Sequence, residues 1–140
     1  MRYLLDTCVI SELVSTKPDP KVIQWVDSID EERLFLSAVT IGEIKKGIEK
    51  LPNSKRKSAL PEWLEDELLV RFNGRLLPID TEVVLIWGEL AAGLEKQGCP
   101  MPAIDSLIAA TALEGRLDLV TRNVGDFAHS GVGLFNPWES

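Results

Sequence analysis

The stretch Tyr3-Leu4-Leu5-Asp6-Thr7-Cys8-Val9-Ile10-Ser11-Glu12-Leu13-Val14 is an apolar run that stops at an acid and then resumes. Tyr3 to Leu5 reads as a short buried strand ending at Asp6, and Val9 to Val14 continues into a helical or irregular turn. An acid at the carboxyl end of a strand matters, because open parallel sheets bind ligands in the crevice outside those ends. Leu34 to Val39 is read as the second strand. Thr40 then begins a helix with Ile41, Ile44, Ile48 and Leu51 on its apolar face, stopped at Pro52-Asn53-Ser54. Leu76 to Ile79 and Leu117 to Thr121 read as the third and fourth strands, and Gly133 to Trp138 carries a further short extended segment.

Helices fill the intervals. After the break at Lys17-Pro18-Asp19-Pro20, Val22, Ile23, Trp25, Val26 and Ile29 follow the spacing of an amphipathic helix. Pro61 is predicted in the first turn of a helix carrying Trp63, Leu64, Leu68 and Leu69. Asp80 caps a long helix through Val83, Ile86, Trp87, Leu90 and Leu94, closed by Gly98. Pro100-Met101-Pro102 opens another, in which Ala103 to Leu113 is apolar nearly all round and therefore predicted to be buried, with Gly115 at its end. Strands alternating with helices predict an α/β fold: a mainly parallel central sheet flanked by helices on both faces.

At 140 residues, residues 1–140 are expected to form one domain. The 45% hydrophobic and 26% charged content is that of a globular protein, and no apolar run approaches the roughly 20 residues that span a bilayer. No membrane association is expected. Asp6 and Glu12 interrupt the first apolar stretch, unlike a signal peptide, so the expected location is cytoplasmic. Cys8 and Cys99 form no C-x-x-C pair and are read as reduced thiols. The net charge of −7 argues against coating nucleic acid through the global field. Lys45, Lys46, Lys50, Lys55, Arg56 and Lys57 nevertheless supply a local basic segment, which reads either as a solvated helix face or as a phosphate-facing surface.

Four acids, Asp6, Glu43, Asp105 and Asp126, stand just after a predicted strand or inside the helix that follows one, so the topology sends them to the same sheet edge. Each has a structural alternative. Asp6 can serve as a turn or cap acid, with Ser11 also available as a cap. Thr40-Ile41-Gly42-Glu43 fits a capping box, in which the glutamate reaches back to the first free amide. Asp126 lies in the loop after strand four, where acids are common. Asp105 is the strongest candidate, since it falls among Ala103, Ile104, Leu107, Ile108, Ala109 and Ala110, and buried acids are rarely left unpaired. Two carboxylates about 4 Å apart repel by roughly 4 kcal/mol at an effective dielectric of 20, so such a cluster requires protonation or a cation. An all-oxygen site suits Mg²⁺, with Mn²⁺ as the alternative ion.

Other chemistries lack their motifs. His129 is the one histidine, and there is no G-x-S-x-G, P-loop, G-x-G-x-x-G or H-E-x-x-H. Trp25, Trp63 and Trp87 sit at helical core positions and are read as packing residues; Trp138 is open to either reading.

Leu4 to Leu13, Leu36 to Glu43, Ala103 to Thr111 and Val120 to Phe127 together resemble the PIN-domain ribonucleases, above all the VapC and FitB-like toxins of type II toxin–antitoxin pairs. The resemblance keeps the order of the motifs and extends from Met1 to Trp138. It implies a PIN fold and a Mg²⁺-dependent endoribonuclease that hydrolyses RNA phosphodiester bonds with metal-activated water. It also implies a homodimer, and neutralisation by a small DNA-binding antitoxin in a hetero-oligomer. Carried over by position, it places metal-binding acids at Asp6, Glu43 and Asp105, with the fourth in the loop after strand four. There the N-x-x-D-F form, Asn123 to Phe127, points to Asp126, while some relatives carry an aspartate where this chain has Asn123. Thr7, Thr121 and Asn123 are expected to support the acids. A PIN nuclease of RNA processing or decay and a non-catalytic antitoxin-binding module are the competing readings.

Overall fold

In the computed structural model, which describes residues 1–140, five short parallel strands run side by side in the order β3-β2-β1-β4-β5. They are β1 (Tyr3–Leu5), β2 (Leu34–Ser37), β3 (Leu76–Leu77), β4 (Asp118–Val120) and β5 (Leu134–Phe135). β1 is central: Tyr3 and Leu4 pair with Leu34 and Phe35, and Tyr3 to Leu5 pair with Asp118 to Val120 on the other side. The predicted parallel α/β sheet is therefore present, and the extended tail segment becomes its fifth strand against β4.

Successive residues of a strand point to opposite faces, which explains why these strands are almost wholly apolar. Leu5, Leu34, Leu36 and Val120 enter one core with Val9, Ile10, Val22, Val26, Ile44, Ile48 and Phe72. Leu4 and Leu119 enter a second with Ile108, Ala109, Ala112 and Phe127, and Phe35 packs against it. Helices α1 (Thr7–Leu13), α2 (Pro20–Ser28), α3 (Ala38–Glu49) and α4 (Lys55–Trp63) build the first layer. Helices α6 (Thr81–Lys96), α7 (Ala103–Gly115) and α8 (Val124–Phe127) belong to the other side of the sheet. None of them is long and apolar enough to cross a membrane.

Several boundaries differ from the sequence expectation. β2 ends at Ser37 rather than Val39, because the buried Ser37 hydroxyl accepts the Val39 amide and caps α3 at Ala38. Thr40 is therefore a buried residue inside α3 and not its cap. Pro61 lies inside α4, not in a first turn. A proline there cannot donate to the preceding turn, and the chain continues as a wider π-type turn at Leu64–Leu68 into α5 (Leu69–Arg71). α7 runs through Gly115, and Arg116, with φ +54°, takes the left-handed position. Its first turn is also more open than predicted: Ile104 is exposed and Asp105 half-buried, with continuous burial only from Ile108 to Ala112.

Candidate active site

Asp6 stands where β1 ends and α1 begins, and it is buried. Its backbone amide still belongs to the sheet, donating to the Val120 carbonyl at 2.9 Å. Its Oδ1 accepts the Thr7 amide at 2.8 Å, so Asp6 is the α1 cap; Ser11 lies inside the helix. The other oxygen, Oδ2, accepts the Thr121 hydroxyl at 2.8 Å from the end of β4. Oδ2 also accepts the Cys8 thiol at 3.7 Å, while Oδ1 keeps a further lone pair, so capping and ligation are compatible in one side chain.

Glu43 is not engaged in a capping box. Six residues past the Ser37 cap, its Oε1 accepts the Thr7 hydroxyl at 2.5 Å, and Thr7 Oγ1 also lies 3.2 Å from Thr40 Oγ1. Thr7 thus ties α1 to α3 and holds Glu43 beside Asp6. Thr121 does the same from the β4 side, accepting the Asn123 amide at 3.0 Å as it donates to Asp6. Asn123 contributes to this network through its backbone, while its side chain is exposed and makes no hydrogen bond.

Asp105 and Asp126 approach from α7 and α8. They line one open cleft with Pro100, Met101, Gly125 and His129. Burial pushes the Asp105 carboxyl above the ordinary aspartate range, and the charges of Asp6, Glu43 and Asp126 push it further. All three other acids thus act on Asp105 through space, while Glu43 and the Asp105–Asp126 pair line separate concavities. Cys8, beside Asp6 Oδ2 at 3.7 Å, is held as a neutral thiol because burial, and then the Asp6 charge, raise it.

The donor set is made of hard oxygens and carries repulsion that a divalent cation would relieve, which fits Mg²⁺ or Mn²⁺. The acids do not form a closed cage: no three His, Cys, Asp or Glu side chains stand close enough to hold an ion together. Mg²⁺ retains several waters and needs only one or two direct carboxylates, so this spacing is compatible with it.

One feature near the acids, His129, has no counterpart among the sequence expectations, and another, Lys46 with Lys50, singles out part of the basic segment read there. His129 lines the cleft of Asp105 and Asp126, a juxtaposition with no local sequence signal. Lys46 and Lys50 share a concavity of about 480 Å³ with Glu43, whereas the neighbouring Lys45 is paired with Glu49 at 2.9 Å. Positions 46 and 50 are one helical turn apart, which marks one face of α3.

Comparison with known proteins agrees with this geometry. Residues 3–130 match the PIN domain family. Toxin FitB of Neisseria gonorrhoeae is 41% identical over 135 residues, covering 96% of this chain and 97% of its own. VapC ribonuclease Y4jK of Sinorhizobium fredii is 37% identical, covering 97% of each. The crystal structure of FitAcB from Neisseria gonorrhoeae superposes with a TM-score of 0.94 at 40% identity over 99% of both chains. The structure of FitAB bound to an IR36 DNA fragment gives 0.92 at 39%, over 97% of this chain and 95% of that one. A parallel five-stranded sheet with four acids at its carboxyl edge and chain-long similarity to these proteins lead to one assignment: the chain belongs to the PIN-domain family and is of the VapC/FitB-like kind.

Proposed function

We propose that the chain is a divalent-metal-dependent endoribonuclease acting as the toxin of a type II toxin–antitoxin pair. What supports the reading most is similarity along the whole chain to a VapC ribonuclease, together with the charges of Asp6, Glu43 and Asp126 acting on Asp105. Asp6, Glu43, Asp105 and Asp126 would hold Mg²⁺, or Mn²⁺ in its place, one or two of them directly and the others through its bound waters. A bound divalent ion supplies a hydroxide-like nucleophile at neutral pH and neutralises charge on the phosphate.

The chain's own residues account for the rest of the site. Thr7 and Thr121 fix the carboxylates of Glu43 and Asp6, so little ordering remains when substrate arrives. Lys46 and Lys50 offer positive charge to the RNA backbone beside Glu43. Neutral Cys8 adds no charge to the crevice.

The partner reading also has a place. An apolar groove of about 190 Å³ between α1, α3 and α4, lined by Ile10, Ile44, Ile48, Leu60 and Trp63, opens on Thr7 and Glu43. A helix of the cognate antitoxin laid into this groove would bring a basic side chain to Glu43 and block the site. A homodimer would cover Val84 and Leu85 of α6, which are 41% and 61% exposed.

The deciding experiment is RNA cleavage by the purified chain with Mg²⁺, with Mn²⁺ and with EDTA, repeated for Asp6→Asn and Asp105→Asn. Cleavage that requires metal and both acids is the expected result. Activity that persists in EDTA, or in both variants, would overturn the mechanism. Absence of cleavage together with binding to the co-encoded antitoxin would favour the non-catalytic module.

A further inference from the structure

Beyond the acids, towards the β5 side of the sheet edge, lies a second concavity of about 490 Å³. Thr7 and Cys8 form the wall it shares with the acidic crevice, and Arg122 and Trp138 form the far side. Arg122 is exposed, directly follows the Thr121 that holds Asp6, and has no carboxylate within salt-bridge distance. Its side chain makes no hydrogen bond, so all five guanidinium N–H donors are available.

Arg122 is nevertheless held in place. Its backbone amide donates to Cys8 Sγ at 3.5 Å, and its guanidinium lies over the Trp138 ring, 5.4 Å from the centroid. The ring is itself fixed: Nε1 donates to Glu12 Oε1 at 3.1 Å, and the Trp138 amide donates to Asn136 Oδ1 at 2.9 Å. Glu12 is anchored in turn by the Asp19 amide at 3.1 Å. A free arginine fork mounted on an aromatic ring, next to a crevice that repels phosphate, is suited to taking an anion that must lie against that crevice.

We propose that Arg122, positioned by Trp138, is a phosphate-binding residue for the RNA strand, contacting a backbone phosphate that flanks the bond to be cut. This inference rests on the ribonuclease reading above. RNA then runs along the sheet edge between Lys46 and Lys50 on the β2 side and Arg122 on the β4 side, crossing the acids between them. Trp138 is a positioning residue, acting through the guanidinium.

The test uses a fluorescein-labelled single-stranded oligoribonucleotide and the Asp105→Asn protein, so that binding is read without cleavage. Anisotropy titrations are run over a series of salt concentrations, with Arg122→Gln and Arg122→Lys added to that background. Arg122→Gln should weaken binding about tenfold and make the log–log salt slope shallower by about 0.7, the value of one neutralised single-strand phosphate. Arg122→Lys should recover part of both, and thermal midpoints should be unchanged because Arg122 is exposed. In the cleaving protein, Arg122→Gln should raise KM more than it lowers kcat. Equal affinity, slope and KM in Arg122→Gln and its parent would overturn the inference while leaving the ribonuclease reading intact. A parent chain that neither binds nor cleaves RNA would overturn both.

Discussion

The hydroxyl of Thr7 donates to Glu43 at 2.5 Å across 36 positions of sequence, joining the first helix to the third at the mouth of the acidic crevice. With Ser37 as the helix cap, Glu43 is free of a capping role, and this bond links it through Thr7 to Asp6, whose Oδ1 accepts the Thr7 amide. One threonine therefore positions two of the four acids.

Replacing Thr7 with valine keeps the shape and removes the hydroxyl. Glu43 then loses its donor, and RNA cleavage should fall about 10- to 100-fold, as is usual for groups that orient metal-binding carboxylates. Stability should drop by about 1 kcal/mol, the typical worth of one hydrogen bond. Thr7→Ser should restore most of the activity. Cleavage assays and urea denaturation of the three proteins check this; a fully active valine variant would remove Thr7 from the site.

Asp105 gives the site its pH signature. Burial, then the charges of Asp6, Glu43 and Asp126, raise its pKa above the value of 3.8 taken for an isolated aspartate. The ionised form is thus disfavoured in the folded state, and its penalty is present above the folded pKa. The penalty disappears as pH falls through the folded pKa to below the unfolded one. In EDTA at pH 7, Asp105→Asn should melt at a higher temperature than the parent, and the two should converge below about pH 3.8. Adding Mg²⁺ should reverse the order by stabilising the parent more. Differential scanning fluorimetry across pH, with and without metal, reads all three effects.

These two residues also show how far sequence carries. Short apolar runs made the strands legible, and the run ending at Asp6 marked that acid, because a parallel strand buried on both faces has no polar alternation to confuse it. Asp105 was legible as an acid within an apolar helix, although its first turn is more open than the pattern implied. Glu43 was ambiguous because Thr40 to Glu43 spells a capping box, while the true cap, Ser37, is buried and reads as strand. The Thr7–Glu43 bond and the meeting of Arg122 with Trp138 join residues distant in sequence, and no local periodicity encodes such pairs.

The packing that carries Asp105 rests on a second long-range pair. Trp87 Nε1 of α6 donates to Ser106 Oγ of α7 at 2.9 Å, and Ser106 donates to the Ala103 carbonyl at 2.8 Å. Ser106→Ala leaves the indole N–H without its partner and should cost about 1–2 kcal/mol. Trp87→Phe in the same chain removes the stranded donor, so the double variant should be less destabilised than the sum of the singles. Strict additivity in a denaturant double-mutant cycle would show that the bond contributes nothing.

Lys46 and Lys50 give the RNA reading an electrostatic test independent of the acids. Both are exposed, line the concavity beside Glu43, and lack ion-pair partners, whereas Lys45 is neutralised by Glu49. In a chain of net charge −7, attraction for RNA must come from such local charge rather than from the global field. Alanine at both positions should raise KM for RNA several-fold at low salt with little change in kcat, since neither lysine needs to touch the reacting atoms. The salt dependence of binding should become shallower by about 0.7 for each phosphate that a lysine no longer neutralises. Lys45→Ala, which removes a charge already paired, should leave both quantities close to the parent. A loss at Lys45 as large as at Lys46 and Lys50 would mean that the basic segment acts through its summed charge and not through this face of α3.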